Sequence, residues 1–487
     1  MLYHYKKIIK EVNKLNKNKK LFKNSIIFSL GTFGSKLISF VMIPLYTLLF
    51  STNEYGTIDL INNIVALAFP IISLNLTAAV FRFSTDQKFK KKKRVFSTAI
   101  LILIIFFVVF LCFYPIINKI DFFSNNLIYI YILLFATIIK ALFKEFIRAI
   151  GKLKVYVISD IIQTFSFLGL NIYLIYYLSL GIKGFLLARA ISLFIDSVFL
   201  FLGGDLKKYL SFEFDKKIAI NMFYFSLPLM PNTIMWWINN VSDRYFIKYY
   251  LGVGAVGIYG IAYKFPTLIA TLNGIFFKAW EISAIEEFDS KDKEKFYSNI
   301  FNKLAIFMFV SSSLLIAIIR PLIEIIISGE FVQSWRYAPF LLLSAVFSSL
   351  SGFLGSIYTA SKKTIGALIS TSIAASINIV LNITLIQMIG IYGAAIATVL
   401  SLIILFYIRS NGTKKIININ YQKKRLIILF FINSIQILCL LIINSLLISL
   451  FVQIILVIFI CFINRDEFKK LKDILWKKVR DQYNDRY

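Results

Sequence analysis

The first long apolar stretch of the chain carries polar side chains at intervals of four, three, four and three residues. This spacing places them on one face of a helix. Lys36 lies near the middle of the stretch, where a charge inside a bilayer costs on the order of 3 kcal/mol. Such a residue faces water or a partner, so the stripe predicts one wall of a polar cavity. Its members are Ser25, Ser29, Thr32, Lys36 and Ser39.

A matching stripe lies 201 residues further along the chain, in an apolar stretch predicted to form one helix over 218–240 with Pro228 and Pro231 near its start. Equivalent faces of equivalent helices are expected to face the same central cavity. Trp237 takes the place of Lys36, which predicts a cation on one side of the cavity and an aromatic ring on the other. The members of this second stripe are Ser226, Thr233, Trp237, Asn240 and Arg244.

Cations outnumber acids in and near the apolar stretches, and this excess favours an anionic cargo. A diphosphate matches Lys and Arg side chains in a cavity of low dielectric constant. The alternative is that these cations snorkel to the membrane surface or pair locally, for example Lys140 and Lys144 with Glu145. The candidate diphosphate ligands are Lys36, Arg189 and Lys264.

The acids are fewer and lie mostly near the ends of apolar stretches. Any of them could carry a proton or sodium coupling step, although each could equally be a helix-end or paired residue. Asp243 and Arg244 are adjacent in sequence and are not expected to face each other on one helix; we interpret them as an outer cap and gate contact. No cofactor is indicated, and His4 as the only histidine argues against a histidine metal site. The acids are Asp59, Glu145, Asp160, Asp196, Asp243 and Glu281.

The composition places these residues in a membrane. The 487 residues are 59% hydrophobic with a mean hydropathy of +0.77, against roughly 45–50% apolar residues in soluble proteins. The net charge of +29 does not indicate nucleic acid binding, because the Lys and Arg residues lie between apolar stretches. Fourteen stretches are long enough to span a bilayer. They are 24–50, 57–80, 95–117, 127–147, 155–177, 183–202, 218–240, 252–277, 301–319, 337–358, 365–386, 391–408, 426–443 and 446–463.

The basic residues predict the orientation. Of the 54 Lys and Arg residues, 43 fall in the tails and alternate loops, six in the opposite loops and five within spans. This asymmetry predicts that both termini are cytoplasmic. The N-tail, 1–23, and the C-tail, 464–487, show apolar residues at helical spacing among lysines. We interpret both as amphipathic helices on the anionic inner leaflet, the alternative being a solvated basic tail.

An internal repeat divides the spans into two halves of six. A shift of 201 residues places Gly56 on Gly257, and a shift of 209 places Gly184 on Gly393. Six spans per half keep both halves in the same orientation, which is a recurrent plan of transporters. We interpret Gly184 and Gly393 as sites of close helix packing. The predicted domains are lobes at 24–202 and 218–408, a cytoplasmic linker at 203–217, and a linker with two further helices at 409–463.

The sequence resembles the Wzx-like polysaccharide or O-antigen flippases of the multidrug/oligosaccharidyl-lipid/polysaccharide exporter superfamily. The resemblance is carried by the stretches at 44–60, 242–264, 277–282, 334–364 and 378–398, above all by Asp243-Arg244-Tyr245 followed by LGVGAVGIY. It implies an all-α fold of fourteen helices, with two six-helix lobes in a V. It also implies a bacterial inner-membrane protein that moves an undecaprenyl-diphosphate-linked oligosaccharide to the outer leaflet, working beside a polymerase and glycosyltransferases.

Other functions remain open from the residues alone. A drug or organic-cation antiporter of the same fold predicts an acidic, aromatic cavity, and Lys36 argues against it. A membrane glycosyltransferase or polymerase needs a large outer loop or an acidic metal site, and the longest outer loop, at about 320–336, is too short for a catalytic domain. A lipid-binding scaffold without transport activity is also compatible with the sequence.

Overall fold

The computed structural model describes residues 40–467, apart from 86, 120–125, 212 and 362, together with residue 469; the side chains at 275, 278, 279, 281, 282, 285 and 286 are outside the description. Lys36, the rest of the first stripe, the predicted N-tail and all of the predicted C-tail after 469 lie outside this part of the chain. Every regular element within it is helical. Eleven helices there are long and apolar enough to cross a membrane, or twelve when one bent pair counts as a single span. The prediction of an all-α membrane protein is confirmed.

The described residues form two compact units, 1–260 and 261–487. The helices of the first unit are α1 Ile43–Leu49, α2 Thr52–Ser73, α3 Leu76–Ser84, α4 Phe89–Leu111, α5 Tyr114–Ile117, α6 Leu127–Ala149, α7 Leu153–Asn171, α8 Gly181–Gly204, α9 Lys216–Ser226, α10 Leu229–Val241, α11 Asp243–Leu251 and most of α12, Val253–Ala262. A π-helical turn, Ile172–Tyr177, continues α7.

Three basic loops of the first unit meet at one side. Lys152 Nζ donates a hydrogen bond to the Gly204 carbonyl oxygen at 2.9 Å, and Ser97 Oγ donates to the Tyr209 carbonyl oxygen at 3.0 Å. The loops at 85–88, 150–152 and 205–215 therefore share one side of the membrane, as their lysines predict. We call this side the basic face and the other ends of the same helices the opposite face.

The second predicted span is longer than expected and is broken. Helical residues run from Thr52 to Ser84, with an interruption at Leu74 and Asn75. Both residues have positive φ, 47° and 53°, a conformation that costs a non-glycine residue roughly 1–2 kcal/mol. The prediction of one helix over 57–80 was therefore wrong at both ends and at the break.

The predicted helix over 218–240 is also interrupted, because it is divided between α9 and α10 by a break at Leu227-Pro228. A second break, at Ser242, separates α10 from α11. Pro228 has no N–H to continue the hydrogen-bond ladder of α9, whereas Pro231 is tolerated in the first turn of α10 because the first N–H groups of a helix have no partner within it.

The helices of the second unit are α13 Lys264–Glu286, α14 Lys293–Ile326, α15 Ala338–Ala360, α16 Thr364–Ile389, α17 Ile391–Thr413, α18 Lys423–Ile442 and α19 Leu446–Ile463. Among them, α15 packs against α13, α14 and α17, and α16 packs against α17. The helices α18 and α19 contact each other and α14, which confirms the predicted hairpin near Asn444-Ser445. Arg320 of α14 holds that turn by donating to the carbonyl oxygens of Ile443 and Asn444 at 2.8 Å.

The two repeat-related glycines each allow a close contact with the preceding helical segment. A Cβ atom on Gly184 would lie 2.9 Å from the Leu174 carbonyl oxygen, and one on Gly393 would lie 2.2 Å from the Leu385 carbonyl oxygen. Larger residues would push the helices apart. The structural interpretation of both glycines is confirmed.

Arg409, which the sequence places in a basic loop, is instead buried inside α17 with 2% of its surface exposed. Its guanidinium donates to the Ser351 carbonyl oxygen at 2.8 Å, to Thr371 Oγ1 at 2.8 Å and to Ser370 Oγ at 3.1 Å. Gly355 leaves the room for it, because a Cβ there would lie 2.6 Å from the guanidinium. Arg409 therefore joins α15, α16 and α17 through neutral acceptors.

We expect Arg409→Ala to lower the free energy of unfolding by about 2–4 kcal/mol, because it leaves several buried acceptors without a donor. Thermal unfolding of the purified protein in detergent measures the change. Lys414→Ala, at an exposed position beside the end of the same helix, serves as the control. An Arg409→Ala midpoint equal to that of the control would contradict this role.

Candidate gate and anion site

A ladder of three polar contacts joins span 2 to α10 and α11. Near the opposite face, Arg244 Nε lies 2.7 Å from Asp59 Oδ2. Further in, Trp237 Nε1 donates to the Asn63 carbonyl oxygen at 3.0 Å, and Asn75 Nδ2 donates to Thr233 Oγ1 at 3.1 Å. We call these three contacts the polar ladder. Three members of the second predicted stripe, Thr233, Trp237 and Arg244, thus contact span 2.

The charged contact of the ladder is the centre of a wider network. Arg244 Nη1 donates to the Asn240 carbonyl oxygen at 3.0 Å and lies 3.2 Å from Asp243 Oδ1, and the Tyr259 hydroxyl donates to Asp243 Oδ2. Asp243 and Arg244 are almost fully buried. The prediction that these adjacent residues do not face each other was wrong, because the long Arg244 side chain turns back towards the Asn240 carbonyl and thereby meets Asp243.

Beside the network, towards the opposite face, the backbones of α2 and α12 are in contact. A Cβ on Gly56 would lie 2.1 Å from the Val253 carbonyl oxygen, and one on Gly257 would lie 2.1 Å from the Thr52 carbonyl oxygen. Neither position accepts a side chain without moving the backbone. These are the two glycines that the repeat places on one another, so equivalent positions of the two copies contact each other.

Arg189 of α8 lies close to this network and is half-buried. It interacts electrostatically with Asp59 and Tyr46, yet within the described chain its guanidinium has no hydrogen bond or ion pair. The Tyr46 hydroxyl, which is buried, has no hydrogen-bond partner either. A half-buried guanidinium and a buried hydroxyl that lack acceptors are suited to receiving an anion.

Two other cations within the spans of the first unit, Lys140 and Lys144, are paired. Lys140 Nζ lies 3.1 Å from Asp196 Oδ2, and Lys144 bonds to Asp160. The local-pairing alternative is correct for both lysines, but Glu145 was the wrong partner. Glu145 contacts Arg148 instead, at 3.2 Å.

The other predicted site residues are more dispersed. Lys264 is the first residue of α13, half-buried, directly after the break at Tyr263. This break is explained by Pro266, which has no N–H to bond the Ala262 carbonyl. Ser29, Thr32, Lys36 and Ser39 lie outside the described residues, as does the side chain of Glu281. The other five acids singled out from the sequence all form ion pairs.

Four residues of this site were not predicted from the sequence: Tyr46, Asn63, Asn75 and Tyr259. The position of Asn63 could have been inferred, since it lies four residues after Asp59 on the same helix face. The position of Asn75 could not, because its contact with Thr233 depends on the break that begins at Leu74. The partners of Tyr46 and Tyr259 come from distant spans.

The fold and the site define a multi-pass helical membrane protein with a polar, charged seam between spans and no candidate group of three or more metal-binding side chains among the described residues. Residues 21–280 match the family described as polysaccharide biosynthesis protein. This match covers more than half of the chain, which therefore belongs to that family. No curated protein sequence matches the chain significantly.

Solved structures show the same fold. "Lipid II flippase MurJ, inward closed conformation" superposes with a TM-score of 0.66 at 16% identity, covering 91% of this chain and 100% of that chain. A multidrug resistance MATE family transporter of the MOP superfamily matches in its inward-facing form with a TM-score of 0.57 and in its outward-facing form with 0.59, each at 13% identity. Both matches cover 84% of this chain and 94% or 96% of the transporter. These structural neighbours are a flippase and a transporter, not enzymes.

We expect strong energetic coupling between Asp59 and Arg244. A double-mutant cycle with Asp59→Asn and Arg244→Gln should give an interaction energy of about 1–3 kcal/mol, because both side chains are shielded from water. Unfolding of the four proteins in detergent measures it. The exposed pair Asp205 and Lys208 is the control and should show no measurable coupling. Equal coupling at the two pairs would refute a special role for the Asp59–Arg244 contact.

Proposed function

We propose that this protein is a flippase that moves an undecaprenyl-diphosphate-linked oligosaccharide from the cytoplasmic to the outer leaflet of a bacterial inner membrane. The family match over 21–280 carries the proposal, and the fold shared with a lipid II flippase supports it. The repeat unit would be an O-antigen, a capsule unit or a related glycan. A polysaccharide polymerase and glycosyltransferases would act before and after this step.

The proposed topology has fourteen spans with both termini in the cytoplasm. Twelve correspond to the eleven long helices and the bent pair α12–α13. The other two are the span at 24–50 and the interrupted span at 216–251. Spans 1–6 and 7–12 would form two parallel lobes in a V, followed by the α18–α19 hairpin.

The proposed transport mechanism is alternating access. The polar ladder joins span 2 of the first proposed lobe to span 7 of the second, and the glycine contact lies beside it. Contact between repeat-equivalent glycines is expected where a pseudo-two-fold axis passes between the lobes. The ladder would hold the outer side shut and break when the cavity opens outwards, with Asp243 and Arg244 forming the gate.

The diphosphate would be held by Arg189, Lys36 and Lys264. Arg189 has the better support of the two described candidates, because its guanidinium keeps its donors while Lys140, Lys144 and Arg148 are in ion pairs. The cation of Lys36 and the ring of Trp237 would suit a ligand with a phosphate end and a sugar end. Since Asp59 interacts with both Arg189 and Arg244, an arriving anion would compete with Asp59 for both guanidinium groups and so weaken the gate.

A drug or organic-cation antiporter is the second candidate, and the similarity to the multidrug resistance transporter favours it. It predicts a site that attracts cations. The charges of Arg189 and Arg244 balance those of Asp59 and Asp243, so this region has no net negative charge to attract a cation. Resistance to cationic drugs, without any restoration of surface glycan, would favour this candidate.

In a flippase-deficient strain that makes a matching glycan, Lys36→Ala and Arg189→Ala should each reduce surface polysaccharide at least about tenfold, since each removes a charge-assisted contact to the diphosphate. Lys36→Arg keeps the charge and should retain most activity, and Lys415→Ala is the exposed control. Full activity of both alanine variants at normal expression would reject the diphosphate role.

Locking the ladder should stop translocation. We expect Asn75→Cys with Thr233→Cys, in a background where Cys112, Cys439 and Cys461 are serine, to lose lipid-linked glycan transport in proteoliposomes after treatment with a short reducible thiol linker. Reduction should restore transport, because the two spans must separate in each cycle. The single Thr233→Cys protein is the control. Undiminished transport by the linked protein would show that span 2 and α10 stay together during transport.

A further inference from the structure

A basic pocket lies on the basic face of the first unit, away from the polar ladder. It has a volume of about 430 Å³, within the range of ligand sites. It is formed where α4 and α9 begin, and five of its lining side chains are basic against one acid. The lining residues are Lys88, Lys90, Lys91, Arg94, Asp215, Lys217, Ile218 and Asn221.

The carboxylates near the pocket already have hydrogen-bond or ion-pair partners. Asp215 accepts a hydrogen bond from the Ile218 N–H at 3.0 Å, and both Asp215 and Glu213 lie 3.6 Å from Arg94. In the same loop, Lys208 donates to Asp205 at 2.6 Å and holds the pKa of that carboxyl below its usual range. The pocket therefore keeps a net positive charge from its lysines.

Two features add to that charge. The first turns of both helices point their N–H groups towards the pocket end, where the helix dipole favours an anion. In α4 these groups have no side-chain cap. Among the described residues, none of the four pocket lysines lies within ion-pair distance of a carboxylate.

The surroundings of the pocket indicate a lipid. Large apolar side chains next to its lining residues are exposed, namely Phe89, Phe214, Ile220 and Tyr224. A second hollow of about 520 Å³ shares Lys91 and is walled by Phe83 and Phe225 together with Arg82. Basic side chains beside exposed apolar ones are typical of the membrane interface, where phosphate headgroups lie.

We propose that this pocket binds the phosphate-bearing headgroup of a membrane lipid in the leaflet on the basic face. The lysines and the two helix ends contact the phosphate, and the second hollow receives the remainder of the headgroup. The site does not depend on the proposed transport activity. Its ligand is an anionic phospholipid or a polyprenyl diphosphate, and both offer the same phosphate chemistry.

Native mass spectrometry of the full-length protein in detergent tests the site with phosphatidylglycerol, undecaprenyl diphosphate, inorganic diphosphate and phosphatidylcholine. The triple variant Lys88→Gln, Lys90→Gln and Lys91→Gln should bind the anionic lipid at least about tenfold more weakly than wild type. The control, Lys415→Gln with Lys423→Gln and Lys424→Gln, removes three exposed lysines from the second unit and should bind normally.

A second variant separates a pocket from diffuse surface charge. Asn221→Trp fills the pocket and keeps every lysine, so it should lose binding as the triple variant does. Preferential binding of phosphatidylglycerol supports a phospholipid site, and preferential binding of undecaprenyl diphosphate supports a site for lipid-linked intermediates. The proposal is overturned if the triple variant matches its control, if Asn221→Trp binds like wild type, or if free diphosphate or phosphatidylcholine binds as well as the anionic lipids.

Discussion

The buried contact between Asp59 and Arg244 is the constraint on which the first unit depends. A single charge inside a membrane is costly, so each of these two residues offsets the cost of burying the charge of the other. Their pairing fixes span 2 against α11 and brings Asp243, Tyr259 and Asn240 into one network. Asp59 also interacts electrostatically with Arg189, whose guanidinium makes no hydrogen bond among the described residues.

Charge in this protein is balanced locally rather than globally. The net charge of +29 suggests a cavity full of cations, yet Lys140, Lys144 and Arg148 each have a carboxylate partner. Arg409 is stabilised by neutral oxygens. Beside these paired cations, Arg189 keeps its guanidinium donors, which is a more selective arrangement for an anion than a uniformly basic cavity. The same distinction separates Arg94, which is paired, from the lysines of the basic pocket.

Hydropathy and the spacing of apolar residues were sufficient to locate the helices, because a bilayer demands long apolar segments whatever their partners. The α18–α19 hairpin and the close packing at Gly184 and Gly393 were also predicted. The helix breaks were not predicted. Pro228 is visible in the sequence, but no local sequence signal indicates the left-handed backbone at Leu74 and Asn75. The partners of Lys140 and Arg409 come from other helices, and helical spacing cannot identify them.

The interruption at Leu74 and Asn75 changes how span 2 can move. It carries the third contact of the polar ladder at Asn75 itself, whereas the first two contacts lie on α2. A continuous rod would have to release all three contacts at once, against the sum of their energies. In the proposed transport cycle, a jointed span would release them in succession, and several low barriers would replace one high barrier.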